Sequence, residues 1–181
     1  ARCRVILLVR DLRDTVVSNY FQVTRRERSY EGDLSSFVRW PRGSFEAMLR
    51  YYNVWAAQRQ VPRDFLLVRY EDLHADTARE LRRAAAFLGL AQVADASIQS
   101  AVEHGSFDSM QRREASRPAD GTPLAAGREG DPESFKTRRG KIGGYLDYLS
   151  AEDVAWLNRR IDDELDPFYG YTSGPLPRPL A

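Results

Sequence analysis

The chain has little of what would staple it, anchor it in a bilayer or draw it to a polyanion. One cysteine, Cys3, stands among 181 residues, which excludes an internal disulfide or a thiolate metal cluster and fits a reducing, cytoplasmic setting. The longest strongly apolar run, Val5 to Val9, is far short of the ~20 residues of a membrane-spanning helix, and the first residues lack the pattern of a secretory signal. Charge of either sign is in balance: 27 Lys and Arg against 26 Asp and Glu leave +1. No global field therefore favours nucleic acid or an anionic surface, and any anion site has to be local. Histidine is scarce, with only His74 and His104, and no G-x-x-x-x-G-K-[ST] phosphate loop occurs. Ala1 precedes a core-type strand by only a few residues, and the expectation from this placement is a truncated chain.

What is present is ordinary globular sequence, 43% hydrophobic and 29% charged, enough for one domain that buries roughly 70% of its unfolded surface. Its most informative stretch is Arg4 to Ser18, RVILLVRDLRDTVVS. The run Val5 to Val9 predicts a strand buried on both faces. Arg10 ends it, Asp11 to Asp14 form a polar turn, and a helix is predicted from Asp14 to about Arg26. Open α/β sheets hold ligands at such strand ends. Backbone N–H groups, a positive helix end and a guanidinium converge there on an anion, most naturally a phosphate.

Further along, the run Arg25 to Arg28 reads as a solvated helix end, and residues 29–43 as a loop whose Phe37 and Trp40 either line a substrate pocket or pin the loop to the core. Phe45, Met48, Tyr52, Trp55 and Ala56 predict an amphipathic core helix over 44–60. Asp64 to Arg69 repeats the strand signature. A helix from Asp76 to Leu88 buries Leu81, Ala84, Ala85 and Leu88 and stops at Gly89. A short helix is predicted over 95–104, a turn or helix from Gly105, and a mobile loop over 115–133. Ser150 with Asp153 opens a last helix with Val154, Leu157, Ile161 and Leu165 on its buried stripe, and Pro167 ends it. The order of elements is α/β with a parallel sheet.

Arg10 with Ser18, Tyr70 after a strand, and the cluster Arg138, Arg139, Gly140 share an anion-binding chemistry. In this order they resemble the sulfotransferases that use 3′-phosphoadenosine 5′-phosphosulfate (PAPS). VRDLRDTVVSNY, Val9 to Tyr20, resembles the family's 3′-phosphate segment, which implies that Arg10 and Ser18 hold that phosphate. VRYEDL, Val68 to Leu73, resembles the strand-end YEDL whose Tyr70 approaches the adenine. Ser106, Phe107 and Met110 are similar to the S-F-x-x-M segment beside the adenine, with Gly105 in place of the usual Thr. Arg138, Arg139, Gly140 and the following Gly143, Gly144, Tyr145 resemble R-K-G-x-x-G-x-W, with Arg139 for Lys and Tyr145 for Trp.

The resemblance runs from Arg4 to about Tyr171. It implies a P-loop-NTPase-like three-layer α/β fold with a parallel sheet, its N-terminal part missing. Residues 1–171 would be the C-terminal portion of one sulfotransferase domain, and 172–181 a disordered Pro-rich tail. It also implies PAPS as co-substrate, no metal, and a small-molecule, glycan or lipid acceptor. The family's TYPKSGTT-like 5′-phosphosulfate loop and its catalytic histidine have no counterpart here, so both are expected upstream of Ala1 and the isolated chain is expected to be inactive. The alternative is a non-catalytic nucleotide-binding or interaction module. At the positions of the family's K-x-x-x-T-V-x-x-x-E dimer motif stand Leu146, Ser150, Ala151 and Ala155, so that dimer mode is not expected and the oligomeric state stays open.

Overall fold

The computed structural model describes residues 3–90, 92–117, 128 and 130–174. Two strands, β1 (Arg4–Val9) and β2 (Asp64–Arg69), pair in parallel from Arg4 opposite Asp64 to Val9 opposite Arg69. Between them run α1 (Leu12–Phe21), α2 (Leu34–Val38) and α3 (Phe45–Ala57). After β2 come α4 (Tyr70–Ala75), α5 (Thr77–Phe87), α6 (Asp95–His104), α7 (Phe107–Ala115) and α8 (Ala151–Glu164). The core joins Val16, Val17 and Phe21 of α1 to Phe45, Leu49 and Tyr52 of α3 and to Leu157 and Ile161 of α8.

Local chemistry explains the boundaries. The Asp11 carboxylate accepts the Arg13 N–H, a side-chain cap that starts α1 two residues earlier than the sequence predicts. Past Phe21 the chain widens into a π-helical turn, Gln22–Arg26. Ser150 accepts the Asp153 N–H and donates to its carboxylate, so the predicted cap of α8 is present. Gly89 lies at φ +87°, as a helix stop requires.

The strand ends are wired together. The Tyr52 hydroxyl accepts the Arg10 N–H at 3.0 Å and donates to the Arg10 carbonyl at 2.9 Å. Glu71, just past β2, accepts the Asp11 N–H at 3.0 Å and the Tyr171 hydroxyl at 2.6 Å. Burial beside that carboxylate pushes the Tyr171 phenol far above its ordinary range.

Other expectations change. β1 is not buried on both faces: Leu7 and Val9 are, but Ile6 and Leu8 are 39% and 59% exposed. Successive side chains alternate in direction, and the described helices cover only one side. Leu88 is exposed and the rest of its predicted stripe half-buried, because α5 turns the buried Glu80 inward to its Arg83 partner. Residues 29–43 are not a plain loop: Asp33 caps α2, which buries Phe37 completely, while Trp40 packs on Tyr30. The run Arg25 to Arg28 is not wholly solvated either, since Arg26 turns in to the Ser134 carbonyl and Glu114. Most of the predicted mobile loop and the end of the tail lie outside the described residues.

Candidate functional site

Segments distant in sequence meet beyond the carboxyl ends of β1 and β2 around a cavity of about 460 Å³. Arg10 enters at the end of β1 and Ser18 from α1. Tyr70 enters as the first residue of α4, Phe107 and Met110 from α7, and Arg138, Arg139 and Gly140 from the segment before α8. Of the residues predicted from sequence only Ser106 is not on the wall; its hydroxyl accepts the Ser109 N–H and caps α7.

Arg10 lies with its guanidinium 4.4 Å from the Tyr70 ring centroid, a cation–π contact that fixes its plane. Its Nη2 donates to the Lys141 carbonyl at 2.7 Å and pairs with Asp14 at 3.2 Å. Its Nε is buried without a hydrogen-bond partner among the described residues. The Tyr70 hydroxyl donates to the Gly140 carbonyl at 3.3 Å. Gly140 has φ +60°, and a Cβ there would lie 2.7 Å from the Phe107 ring, so both conformation and space demand glycine.

Arg138 is wedged between the rings of Phe21 and Tyr148, at 4.4 and 5.0 Å. It donates to Glu133 at 2.9 Å, and Arg139 reaches the same carboxylate at 3.5 Å. The Tyr148 hydroxyl donates to Glu133 at 2.9 Å, and burial with this bond raises its pKa. Lys141 and Arg139 pair with Asp147, whose carboxyl is held below its ordinary range chiefly by the Lys141 hydrogen bond. The rim is thus rich in cations, several already engaged by carboxylates that an anionic ligand would displace.

Two carboxylates support the wall, and their backbone partners are not evident from local sequence. Asp14 accepts the Gly143 and Tyr145 N–H groups, each at 2.9 Å. Glu114, 4% exposed, accepts those of Lys136 and Thr137 at 2.6 and 2.7 Å and pairs with Arg26. The four-residue spacing of Arg10 and Asp14 flags their ion pair. Nothing near Glu114 flags partners 22 and 23 residues away.

A second cavity, about 550 Å³, shares Arg10, Ser18, Tyr70, Lys136 and Arg138 with the first and adds Leu8, Met48 and Phe135. Phe37, Trp40 and both histidines line neither cavity. His104 contacts Arg113 near the end of α6, and His74 is exposed on α4.

An open α/β sheet with a cationic, aromatic-walled cavity at its strand ends is an arrangement suited to an anionic ligand. Residues 1–168 match the family model described as the sulfotransferase domain, and the chain belongs to that family. Cytosolic sulfotransferase 17 of Arabidopsis thaliana is 25% identical over 180 residues, covering 90% of this chain and 49% of that protein. Flavonol 3-sulfotransferase of Flaveria bidentis is 22% identical, covering 91% and 55%. The chain spans about half the length of the curated relatives it matches. Among solved structures, retinol dehydratase in complex with androsterone and the inactive cofactor PAP superposes with a TM-score of 0.73 at 23% identity, over 96% of this chain and 49% of that one. A mouse sulfotransferase complexed with PAP gives 0.70 at 20% identity, over 90% and 58%. The P-loop-NTPase-like α/β fold expected from the sequence is the one these structures share.

Proposed function

We propose that this chain carries the 3′-phosphate and adenine site of a PAPS-dependent sulfotransferase. One observation carries the proposal: Arg10, Ser18, Tyr70, Phe107, Arg138 and Gly140, read from separate motifs, meet around a single cavity of about 460 Å³. In this reading Arg10, Ser18 and Arg138 bind the 3′-phosphate, with Arg138 exchanging Glu133 for phosphate oxygens. Tyr70, Phe107 and Met110 give the purine an apolar slot, and Gly140 lets the backbone approach. PAP in the retinol dehydratase and mouse sulfotransferase complexes supports the choice of nucleotide.

In the full reaction an acceptor oxygen or nitrogen forms a bond to sulfur while the bond from sulfur to the 5′-phosphate oxygen breaks. PAP departs with the electron pair, and the acceptor's proton passes to a base. Residues that fix the nucleotide contribute by alignment and by neutralising its charge. The adjoining cavity, with Leu8, Met48 and Phe135 on its wall, suits the apolar body of a small-molecule, glycan or lipid acceptor. A cytoplasmic setting belongs to the proposal, in line with relatives named cytosolic; no described helix is long and apolar enough to cross a membrane.

Because neither histidine lines either cavity, a non-catalytic nucleotide-binding module is the second reading. Sulfate transfer from labelled PAPS to an acceptor panel, assayed on the chain together with any sequence that precedes Ala1, separates the two. The nucleotide site itself is tested by thermal melting: PAP at about a hundred times its Kd is expected to raise the Tm by roughly 5–10 °C. Arg10→Ala is expected to remove most of that shift, and an undiminished shift in the variant overturns the assignment.

A further inference from the structure

Arg10 is the cation nearest the junction of strand and helix, and three contacts hold it. The Tyr70 ring fixes the plane of the guanidinium at 4.4 Å. Within that plane, Nη2 is taken by the Lys141 carbonyl at 2.7 Å and by Asp14 Oδ2 at 3.2 Å, and the buried Nε has no partner among the described residues. The same Asp14 carboxylate accepts the Gly143 N–H at Oδ2 and the Tyr145 N–H at Oδ1, each at 2.9 Å. Asp14 itself is only 3% exposed, so no water shell competes for its oxygens. One side chain therefore sets both the in-plane rotation of the arginine and the position of the glycine turn beside it.

We infer that Asp14 is a positioning residue that makes the site selective for a 3′-phosphorylated nucleotide over its 3′-hydroxyl counterpart. By engaging Nη2 it fixes the guanidinium against the Tyr70 ring, and by tethering Gly143 and Tyr145 it holds the glycine turn at the same phosphate. This inference rests on the nucleotide reading proposed above. Coulomb's law alone predicts the opposite, because a carboxylate beside a phosphate site repels the ligand. The sign of the effect therefore decides between repulsion and positioning.

The test compares binding of adenosine 3′,5′-bisphosphate (PAP) and adenosine 5′-monophosphate to this chain by calorimetry, in the wild type and in Asp14→Asn, Asp14→Glu and Arg10→Ala. Asp14→Asn is expected to lower the ratio of the two affinities about tenfold or more, the scale of one lost charged hydrogen bond. Asp14→Glu keeps the charge, displaces it by one methylene, and is expected to lower the ratio about threefold. The glutamate variant carries the test if the asparagine variant does not fold. Arg10→Ala is expected to abolish the preference. If the wild type shows no preference, or Arg10→Ala leaves it intact, the nucleotide reading itself fails. If Arg10→Ala abolishes the preference while the Asp14 variants keep it, or bind the bisphosphate more tightly, Asp14 is only a structural brace and the inference is overturned.

Discussion

Glu114 gives the sharpest test of how the cavity is held together. It projects from α7 with 4% exposure and closes three contacts: the Lys136 N–H at 2.6 Å, the Thr137 N–H at 2.7 Å and Arg26 at 3.5 Å. Replacing it by alanine takes the acceptor from two part-buried N–H groups and removes one partner of a largely buried guanidinium. Each hydrogen bond to a carboxylate contributes about 1.5–3 kcal/mol, and breaking a buried pair from one side costs about 3–5 kcal/mol in total. Arg26 keeps the Ser134 carbonyl, at 2.8 Å, so the lower end of that range applies, about 3 kcal/mol. For a domain of this size that lowers the Tm by roughly 6–12 °C. Glu114→Gln retains one acceptor oxygen and should lose about half as much. Calorimetric melting reads the global loss, and amide hydrogen exchange at Lys136 and Thr137 reads the local one. A loss below about 1 kcal/mol in the alanine variant, with exchange at both amides unchanged, would refute the claim that Glu114 fastens the Arg138–Gly140 segment to α7.

Two further predictions follow from the same geometry. Gly140→Ala puts a Cβ 2.7 Å from the Phe107 ring at φ +60°; a stability loss of about 1–2 kcal/mol, with a smaller melting shift on adding PAP, is expected, and wild-type values in both assays would count against the packing argument. Asp153, 3% exposed, is pulled up by burial but held below its ordinary 3.8 by Arg39, Ser150 and Ser35. Its contribution is therefore complete above the ordinary carboxylate pKa and is lost as pH falls through its lower folded value. Melting of the wild type should steepen below about pH 4 relative to Asp153→Asn, and parallel curves would remove Asp153 from the acid response.

How much was legible from sequence follows from how local each determinant is. The caps Ser150 with Asp153 and the stop at Gly89 act within a turn, and both are where their residue types place them. The exposure of Ile6 and Leu8 was not legible, because an unbroken apolar run carries no alternation to tell a covered face from an open one. Arg26 looks like any solvated arginine until Glu114 and Ser134, 88 and 108 residues on, draw it inward. The cavity wall was legible through motifs, apart from Ser106, which sits at a helix start where serine commonly caps. The carboxylates behind the wall were not, since Asp14 meets its backbone partners 129 and 131 residues away.

The wall that Arg10 and Gly144 share has a kinetic side as well. A pocket whose sides lie about 130 residues apart in sequence exists only after the long loops have closed, and contacts of that sequence separation form slowly. In the nucleotide reading proposed above, the ligand then has nothing to grip until folding is nearly complete. It should leave the refolding rate untouched while slowing unfolding, so that occupancy by ligand lengthens the lifetime of the folded state rather than hastening its birth.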